Sequence, residues 1–191
     1  MPTRVAAADL DEGAYLLEEP TVAAVNIAVA KARAIEAEPD EVMLTADTLV
    51  VCDGEVLAKP ADADEARHML RRLRGRPHQV LSGVALRNDD GVRWCGTVAT
   101  TVVMRAYTDA EVDAYIARGE PFDKAGGYAV QDEEFRPVER LEGCYLNVVG
   151  LPLCAVAAGL MSMRVEVTGA GRPPCGYCRA GADLVSIRSG S

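Results

Sequence analysis

Two long β-branched runs joined by a tight turn constrain the fold of this chain more than any other feature. The segments HQVLSGVALRN (78–88) and VRWCGTVATTVVMRA (92–106) flank NDDG, whose Asn, Asp and Gly residues favour a hairpin turn. The sequence therefore predicts a sheet in which these two strands are paired in antiparallel fashion.

A second hairpin lies earlier in the chain, in MLTADTLVVCDGEVLAKP. Residues 42–52 are rich in β-branched side chains and predict a strand, the Asp-Gly pair favours a tight turn, and residues 55–59 predict the returning strand. Asp47 and Lys59 are charged, yet they stand in segments whose other residues are suited to burial.

Two segments have the spacing of amphipathic helices. Residues 20–37 carry an apolar stripe with Lys31 at its edge, and Pro20 suits a first helical turn. Residues 62–74 precede Gly75, which favours a helix end. The side chains expected to face inward are Val22, Val25, Val29 and Ala32 in the first helix and Ala66, Met69, Leu70 and Leu73 in the second.

Later elements are marked by capping and by apolar runs. Thr108 and Glu111 have capping-box spacing, which predicts a helix over 109–118. LPLCAVAAGLMSM (151–163) predicts a short buried helix, and RVEV (164–167) predicts a strand.

Strands and helices mix along the chain, with long hairpins and without regular βα alternation. This order indicates an α/β or α+β domain built on a mixed, twisted sheet with flanking helices. We assign the domain to residues 1–167 and a polar tail to residues 168–191. The tail carries Cys175 and Cys178 as CGYC, a lone pair that cannot complete a tetrahedral zinc site and is expected to be incidental or to share zinc.

Composition limits the class of protein. The 191 residues are 49% hydrophobic and 26% charged, which is typical of a single globular domain. No run approaches the roughly 20 apolar residues that a membrane span needs. The N-terminus lacks the basic and apolar regions of a signal peptide, so a cytoplasmic location is expected.

Net charge argues against a polymeric nucleic acid as partner. The formal charge is −9, whereas binding to a phosphate backbone relies on clustered Lys and Arg. The one basic cluster, HMLRRLRGR (68–76), has helical spacing and is interpreted as a solvated helix face. A small phosphorylated ligand needs only a few local cations or a metal ion and stays compatible with the charge.

Asp47 and Lys59 are the first candidates for chemistry. A carboxylate inside an apolar strand has to be paired, metal-bound or placed at a strand end, because unpaired burial is costly. Asp47 is therefore either a general base or metal ligand, or an exposed capping residue. Lys59 either binds phosphate or simply ends a strand, and the hairpin can bring both residues to one rim.

Three more residues are candidates with ordinary alternatives. Glu12 in DLDEG is either a ligand or a solvent-facing charge, and Lys31 is either functional or extends to water from its helix edge. In FDKAGGYAVQD (122–132), the glycines permit close approach to a ligand and Gln131 could read a nucleobase edge. The alternative is a glycine-bearing turn into a strand.

Four ordered blocks resemble one known family. ADTLVVCDGEVLAKP, EARHMLRRLRGRPHQVLSGVAL, FDKAGGYAVQD and EGCYLNVVGLPL are similar in order and spacing to the Maf family of nucleoside triphosphate pyrophosphatases, over residues 5–160. The resemblance implies an elongated α/β fold related to the inosine triphosphate pyrophosphatases, with a ligand cleft between two lobes. It also implies hydrolysis between the α and β phosphates with Mg²⁺ or Mn²⁺, and a homodimer.

The resemblance also implies a role for each candidate. Asp47 matches the proton acceptor that activates water, and Glu12 and Asp47 match residues near the metal. Lys31 and Lys59 match phosphate-binding positions. Thr48 and Gln131 match positions linked to base choice, and AGGYAVQ resembles the branch that prefers dTTP and UTP.

Two departures from the family pattern carry expectations of their own. Members begin with a strand and an S-x-R-R turn that grips phosphates at a helix N-terminus. MPTRVAAADLDEG aligns with the segment that follows, which implies either a start upstream of this sequence or a degenerate relative. VQD (130–132) stands where IQG is common, which places an extra negative charge near the base site.

Three hypotheses follow. The first is a metal-dependent dTTP/UTP pyrophosphatase. The second is a non-catalytic nucleotide binder in which Lys31, Lys59 and Gln131 hold a ligand without turnover, and pyrophosphate release separates it from the first. The third is an interaction protein that uses the CGYC tail, which predicts zinc retention that disappears in Cys175→Ser/Cys178→Ser.

Overall fold

The computed structural model describes residues 3–167 and 185–186. The helices are α1 (Pro20–Ala34), α2 (Ala63–Leu73), α3 (Asp109–Ala117), α4 (Tyr145–Val149) and α5 (Leu153–Ser162), with 3₁₀ turns at Glu12–Tyr15 and Ala125–Gly127. The strands are β1 (Met43–Cys52), β2 (Glu55–Leu57), β3 (Pro77–Asn88), β4 (Gly91–Met104), β5 (Val138–Glu142) and β6 (Val185–Ser186).

One sheet organises these elements and confirms the α/β class. Its strand order is β2-β1-β3-β4-β5, and β6 pairs with β4. Every strand pair in the described residues is antiparallel, where a mixed sheet was expected. β1 pairs with β2 and β3 pairs with β4 through tight turns, so both predicted hairpins are present.

The turn between β1 and β2 has the left-handed backbone that an Asp-Gly pair favours. Asp53 has φ 54° and Gly54 has φ 79°. Both central residues of a two-residue hairpin turn adopt positive φ when the turn matches the twist of its strands. β2 ends at Leu57, so the chain leaves the edge of β1 there and continues to Lys59.

Helix α1 packs on one face of the sheet through small side chains. Ala23, Ala24 and Ile27 contact the sheet side chains Leu49, Val51 and Leu81. Gly83 in β3 allows the close approach, because a Cβ built there would lie 2.0 Å from the Ala24 carbonyl oxygen. The helix ends at Ala34, three residues before the predicted end. The prediction that Val22 faces inward is wrong: it is 40% exposed, and the neighbouring alanines make the contact instead.

Helices α2 and α3 cover the other face. All four predicted core residues of α2 are buried, and its Asp62 side chain caps the N-terminus. The predicted capping box of Thr108 and Glu111 is present at the start of α3. The arginines of the basic cluster pair with acids of two neighbouring elements: Arg71 and Arg74 pair with Asp109 of α3, and Arg72 and Arg76 pair with Glu55 and Asp53 of the β1–β2 hairpin.

The C-terminal part of the domain differs from the sequence prediction in detail. Between residues 133 and 150, where the sequence analysis assigned no helix or strand, the structure contains the edge strand β5 and the short helix α4. The buried helix predicted over 151–163 is present as α5. Residues 164–167 form a turn and an extended segment, so the predicted RVEV strand is wrong. The CGYC pair lies outside the described residues.

No helix within the described ranges is long and apolar enough to cross a membrane.

A buried histidine predicts a pH dependence of stability. His78 on β3 is 4% exposed, its Nε2 lies 2.7 Å from the Tyr128 hydroxyl, and burial lowers its pKa to about 4. Between about pH 6.5 and pH 4, His78 therefore stays neutral in the folded protein, whereas it is protonated in the unfolded chain. We expect the free energy of unfolding to fall by about 2 kcal/mol between pH 7 and pH 5 from this residue.

Urea denaturation at the two pH values measures this fall. In the His78→Gln variant, which keeps a polar partner for Tyr128, the fall should be largely absent. Equal pH dependence in the two proteins would show that His78 is not its source.

Candidate active site

Strand β1 places Asp47 and Thr48 on opposite faces of the sheet. Thr45 and Asp47 contact α1, where the Thr45 hydroxyl donates to the Ala28 carbonyl at 2.6 Å. Thr48 points the other way and contacts Ser82 of β3. This alternation follows from the two-residue period of a strand. It separates an ionic site on the α1 face from a hydroxyl site on the face with α4.

The ionic site joins three of the predicted residues. Lys31 Nζ lies 2.6 Å from Asp47 Oδ1 and 2.7 Å from Glu12 Oε1. Lys31 comes from α1 and Glu12 from the 3₁₀ turn before it, and the Asp47 side chain is only 11% exposed. Asp47 is thus a paired, largely buried carboxylate, and of the two interpretations an exposed capping residue is excluded.

Burial and charge act in opposite directions on this pair. Burial raises the pKa of Asp47, although the neighbouring Lys31 ammonium lowers it. Burial disfavours the charge on Lys31, but its two carboxylate partners outweigh this and raise its pKa. Lys31 therefore stays an ammonium at neutral pH, and Asp47 is a more basic carboxylate than a solvated one.

A cavity of about 340 Å³ opens beside the exposed edge of β1. Its wall includes four of the predicted residues: Asp47, Thr48, Lys59 and Gln131. Glu12 and Lys31 are not part of that wall: Lys31 pairs with Asp47, and Glu12 pairs with Lys31. The structure thus brings all six candidates into one region.

The glycine-bearing segment forms the opposite wall of the cavity. Gly126 has φ 70°, its N–H donates to the Ala58 carbonyl at 3.0 Å, and a Cβ there would lie 2.9 Å from Val50 Cγ1. Only glycine combines this backbone conformation with so close an approach to β1. The contact holds Gln131, five residues later, at the mouth of the cavity.

The cavity is lined by two lysines and two aspartates, a charged set that the sequence prediction recovered only in part, and the Lys124 ammonium lies 2.6 Å from Asp123 Oδ1. The chain contains three lysines among its 20 basic residues, and they are Lys31, Lys59 and Lys124. Lys59 and Lys124 line the cavity, and Lys31 contacts its Asp47. Lys124 was not singled out from the sequence, although the scarcity of lysine was a usable signal. A flexible, compact ammonium is well suited to phosphate oxygens.

Asp132, the acid that replaces glycine in the VQD segment, is neutralised by an arginine. Its carboxylate lies 2.6 Å from Arg118 and accepts the Phe135 N–H at 2.6 Å. Burial acts to raise the pKa of Asp132, but these partners hold it below its usual range. The expected extra negative charge near Gln131 is therefore paired away from the cavity.

The carboxylates fit a divalent cation that substrate helps to bind. Asp47 Oδ2 is buried and has no hydrogen-bond partner. Across the described ranges, no group of three or more His, Cys, Asp or Glu side chains is arranged to hold a metal. Mg²⁺ is commonly held by one or two carboxylates together with substrate phosphates. Asp47 with Glu12 matches that pattern.

Comparison with known proteins agrees with this geometry. The family model described as Maf-like protein matches residues 1–163. A dTTP/UTP pyrophosphatase of Geobacter metallireducens is 44% identical over 83% of this chain and 84% of its own length. One of Anaeromyxobacter dehalogenans is 47% identical over 79% of this chain and 78% of its own length.

A third relative is matched over a shorter stretch. The dTTP/UTP pyrophosphatase of Thermomicrobium roseum is 55% identical over 60% of this chain, and the match spans about half of that relative, 52%. The family model covers more than four-fifths of the 191 residues, and the two longer matches extend over most of both chains. The chain therefore belongs to the Maf family.

Proposed function

We propose that this protein is a nucleoside triphosphate pyrophosphatase that hydrolyses dTTP and UTP to the monophosphate and pyrophosphate. The observation that carries the proposal is the cavity in which a buried carboxylate, Asp47, stands among the three lysines of the chain. The relatives named dTTP/UTP pyrophosphatase support the substrate class. The setting of the reaction in this proposal is the cytoplasm, where nucleoside triphosphates are made and used.

Hydrolysis of the triphosphate requires only a few protein side chains. Cleavage of a phosphoanhydride needs charge neutralisation on the phosphates and an oriented water, with little covalent chemistry by the protein. Asp47 accepts the proton of the attacking water at its unpartnered Oδ2. Lys59 and Lys124 bind phosphate oxygens along the cavity.

Lys31 orients the carboxylate. Its ammonium holds Asp47 Oδ1 and leaves Oδ2 without a hydrogen-bond partner, while Glu12 is a second carboxylate on the same ammonium, so the three side chains together carry one net negative charge. A phosphate arriving at the ionic site would compete with these carboxylates for Lys31. We therefore assign Lys31 both to positioning Asp47 and to binding substrate.

Maf-family pyrophosphatases generally depend on a divalent metal, and we propose Mg²⁺ or Mn²⁺ for this chain. Asp47 and Glu12 would hold it with substrate phosphate oxygens. Such a cation, when bound, neutralises developing charge on the phosphates and acidifies a coordinated water.

A non-catalytic nucleotide binder is the second candidate. It would use the same lysines and Gln131, and it differs only in the absence of turnover. The buried carboxylate with one free oxygen favours the catalytic alternative, because a site that only binds phosphate gains nothing from a negative charge in its wall. The third hypothesis concerns the CGYC tail, and the homodimer is likewise a remaining prediction.

Lys59 provides a prediction on substrate binding. Its side chain lines the cavity with one positive charge. We expect Lys59→Met to raise KM for UTP about tenfold, since one charge-assisted hydrogen bond to phosphate is lost. Steady-state kinetics measures it. The matched change Arg93→Met removes an exposed cation at the far end of β4 and should leave KM within twofold, and equal effects would contradict the assignment.

The test of the proposal is a substrate panel. Pyrophosphate release from dTTP, UTP, CTP and 7-methyl-GTP is followed with Mg²⁺, with Mn²⁺ and with a chelator. Metal-dependent release from dTTP or UTP is expected. Tight nucleotide binding without release would favour the non-catalytic candidate, and neither binding nor release would reject both.

A further inference from the structure

A chain of hydroxyl contacts links the cavity to the core behind β1. Thr48 Oγ1 lies 2.8 Å from Ser82 Oγ and 3.4 Å from the Gly150 carbonyl oxygen. Ser82 Oγ in turn donates to the Asn147 carbonyl oxygen at 3.2 Å. Ser82 and Asn147 are fully buried, whereas Thr48 and Gly150 line the cavity.

The hydroxyls of Thr48 and Ser82 carry two protons in total, but they take part in three contacts: one with each other, one with the Gly150 carbonyl and one with the Asn147 carbonyl. If Ser82 donates to Asn147, the 2.8 Å contact needs the proton of Thr48. If Ser82 donates to Thr48, the Thr48 proton is directed to Gly150. In both arrangements the Thr48 proton is used inside the protein, and the oxygen presents only a lone pair to the cavity.

Donation from Thr48 to a ligand would be costly. Ser82 would have to donate to Thr48, and the contacts to both carbonyl oxygens would then lack a proton. Acceptance from a ligand breaks none of the three contacts. A matched hydrogen bond in a buried polar site adds little net affinity. A ligand that presents an acceptor where the site also presents an acceptor leaves both groups unpaired, and this costs more affinity than the matched bond adds.

We propose that Ser82 is a positioning residue that fixes Thr48 as a hydrogen-bond acceptor and thereby selects bases with a ring N–H. Uracil and thymine carry a donor at N3, where cytosine has a lone pair. Thr48 shares the cavity with Gln131 and lies on the sheet face opposite the Asp47–Lys31 pair, so the base would lie apart from the carboxylate that accepts the proton of water. This inference rests on the proposed function.

The test compares kcat/KM for UTP and CTP in matched variants. The wild-type chain should prefer UTP. In Ser82→Ala, Thr48 loses the 2.8 Å contact and keeps only the long 3.4 Å contact to the Gly150 carbonyl, so its proton can turn to cytosine at little cost. We therefore expect kcat/KM for CTP to rise and the UTP-to-CTP ratio to fall about tenfold. Thr97→Val is the control, because it removes a buried hydroxyl that donates to the Thr21 carbonyl at 2.9 Å, away from the cavity. Its ratio should match that of the wild type.

A second pair of variants covers a failure of Ser82→Ala to fold. Thr48→Ser keeps the hydroxyl and should keep the ratio, while Thr48→Val removes the acceptor and should lower kcat/KM for UTP about tenfold without a gain for CTP. Equal ratios in Thr48→Ser and Thr48→Val would overturn the inference.

Calorimetric titration with UMP and CMP separates this inference from the proposed function. A wild-type chain that neither binds UMP nor hydrolyses UTP rejects the function itself. A wild-type chain that is active but shows no preference for UTP, or a Ser82→Ala ratio within twofold of the wild type, overturns the role of Ser82 alone.

Discussion

Asp47→Asn is expected to lower kcat for UTP about a thousandfold, within the range measured for loss of a general base. Asparagine has the same shape and can still accept from Lys31 at the position of Oδ1. It cannot take a proton from water. The fold should persist, because burial already disfavours the charged form of this carboxyl and raises its pKa.

The matched control for this prediction lies in the same hairpin. Asp53→Asn makes the same chemical change at the exposed β1–β2 turn, where the carboxylate pairs with Arg76 at 2.9 Å. Asparagine tolerates the positive φ of that position. Its kcat should stay within twofold of the wild type. Comparable losses in both variants, or a tenth of wild-type kcat retained in Asp47→Asn, would contradict the role of Asp47.

Gly83→Ala is expected to cause the largest loss of stability. A Cβ on Gly83 would lie 2.0 Å from the Ala24 carbonyl oxygen and 2.6 Å from the Val25 nitrogen, so α1 would have to move away from the sheet. Backbone atoms cannot relax as the end of a side chain can. We expect a cost of about 3 kcal/mol, at the upper end of ordinary overpacking, and a Tm lowered by about 10 °C.

The same change should reduce activity, because Gly83 is the β3 partner of Asp47 and α1 carries Lys31. Gly75→Ala is the control: its Cβ would meet nothing within 4 Å, and only the positive φ of 65° is strained. That strain costs about 1 kcal/mol. Thermal and urea denaturation measure both variants, and equal losses would show that the contact between α1 and β3 is less close than described.

Local signals in the sequence were sufficient for elements whose cause is local. The Asp-Gly turn, the capping box of Thr108 and Glu111, and the inward face of α2 depend on residues within a few positions of each other, and all three are confirmed. The edge strand β5 was missed because it is stabilised by pairing with residues of β4 that lie 34 to 41 positions earlier. RVEV has strand-forming residues and no neighbouring edge that it pairs with in the described part.

In the candidate site, too, the sequence identified the residue whose signal is local and missed the contacts that depend on tertiary packing. A charged residue in an apolar strand identified Asp47 from the sequence, because burial of a carboxylate requires a partner. The resemblance named Lys31 as a phosphate-binding position and did not predict its ion pair with Asp47, because Lys31 reaches Asp47 by packing of α1 on the sheet. Glu12 in turn pairs with Lys31. The role of Ser82 depends on the register that pairs it with Thr48, and no local pattern encodes that register.

The most direct test of the central claim identifies the products formed from UTP. Phosphorus NMR of a reaction with this chain and Mg²⁺ should show UMP and pyrophosphate appearing in equal amounts, with neither formed by Asp47→Asn. UDP with inorganic phosphate would mean cleavage at the other anhydride bond. Unchanged UTP at a protein concentration that binds it fully would contradict the account of Asp47 as a catalytic base.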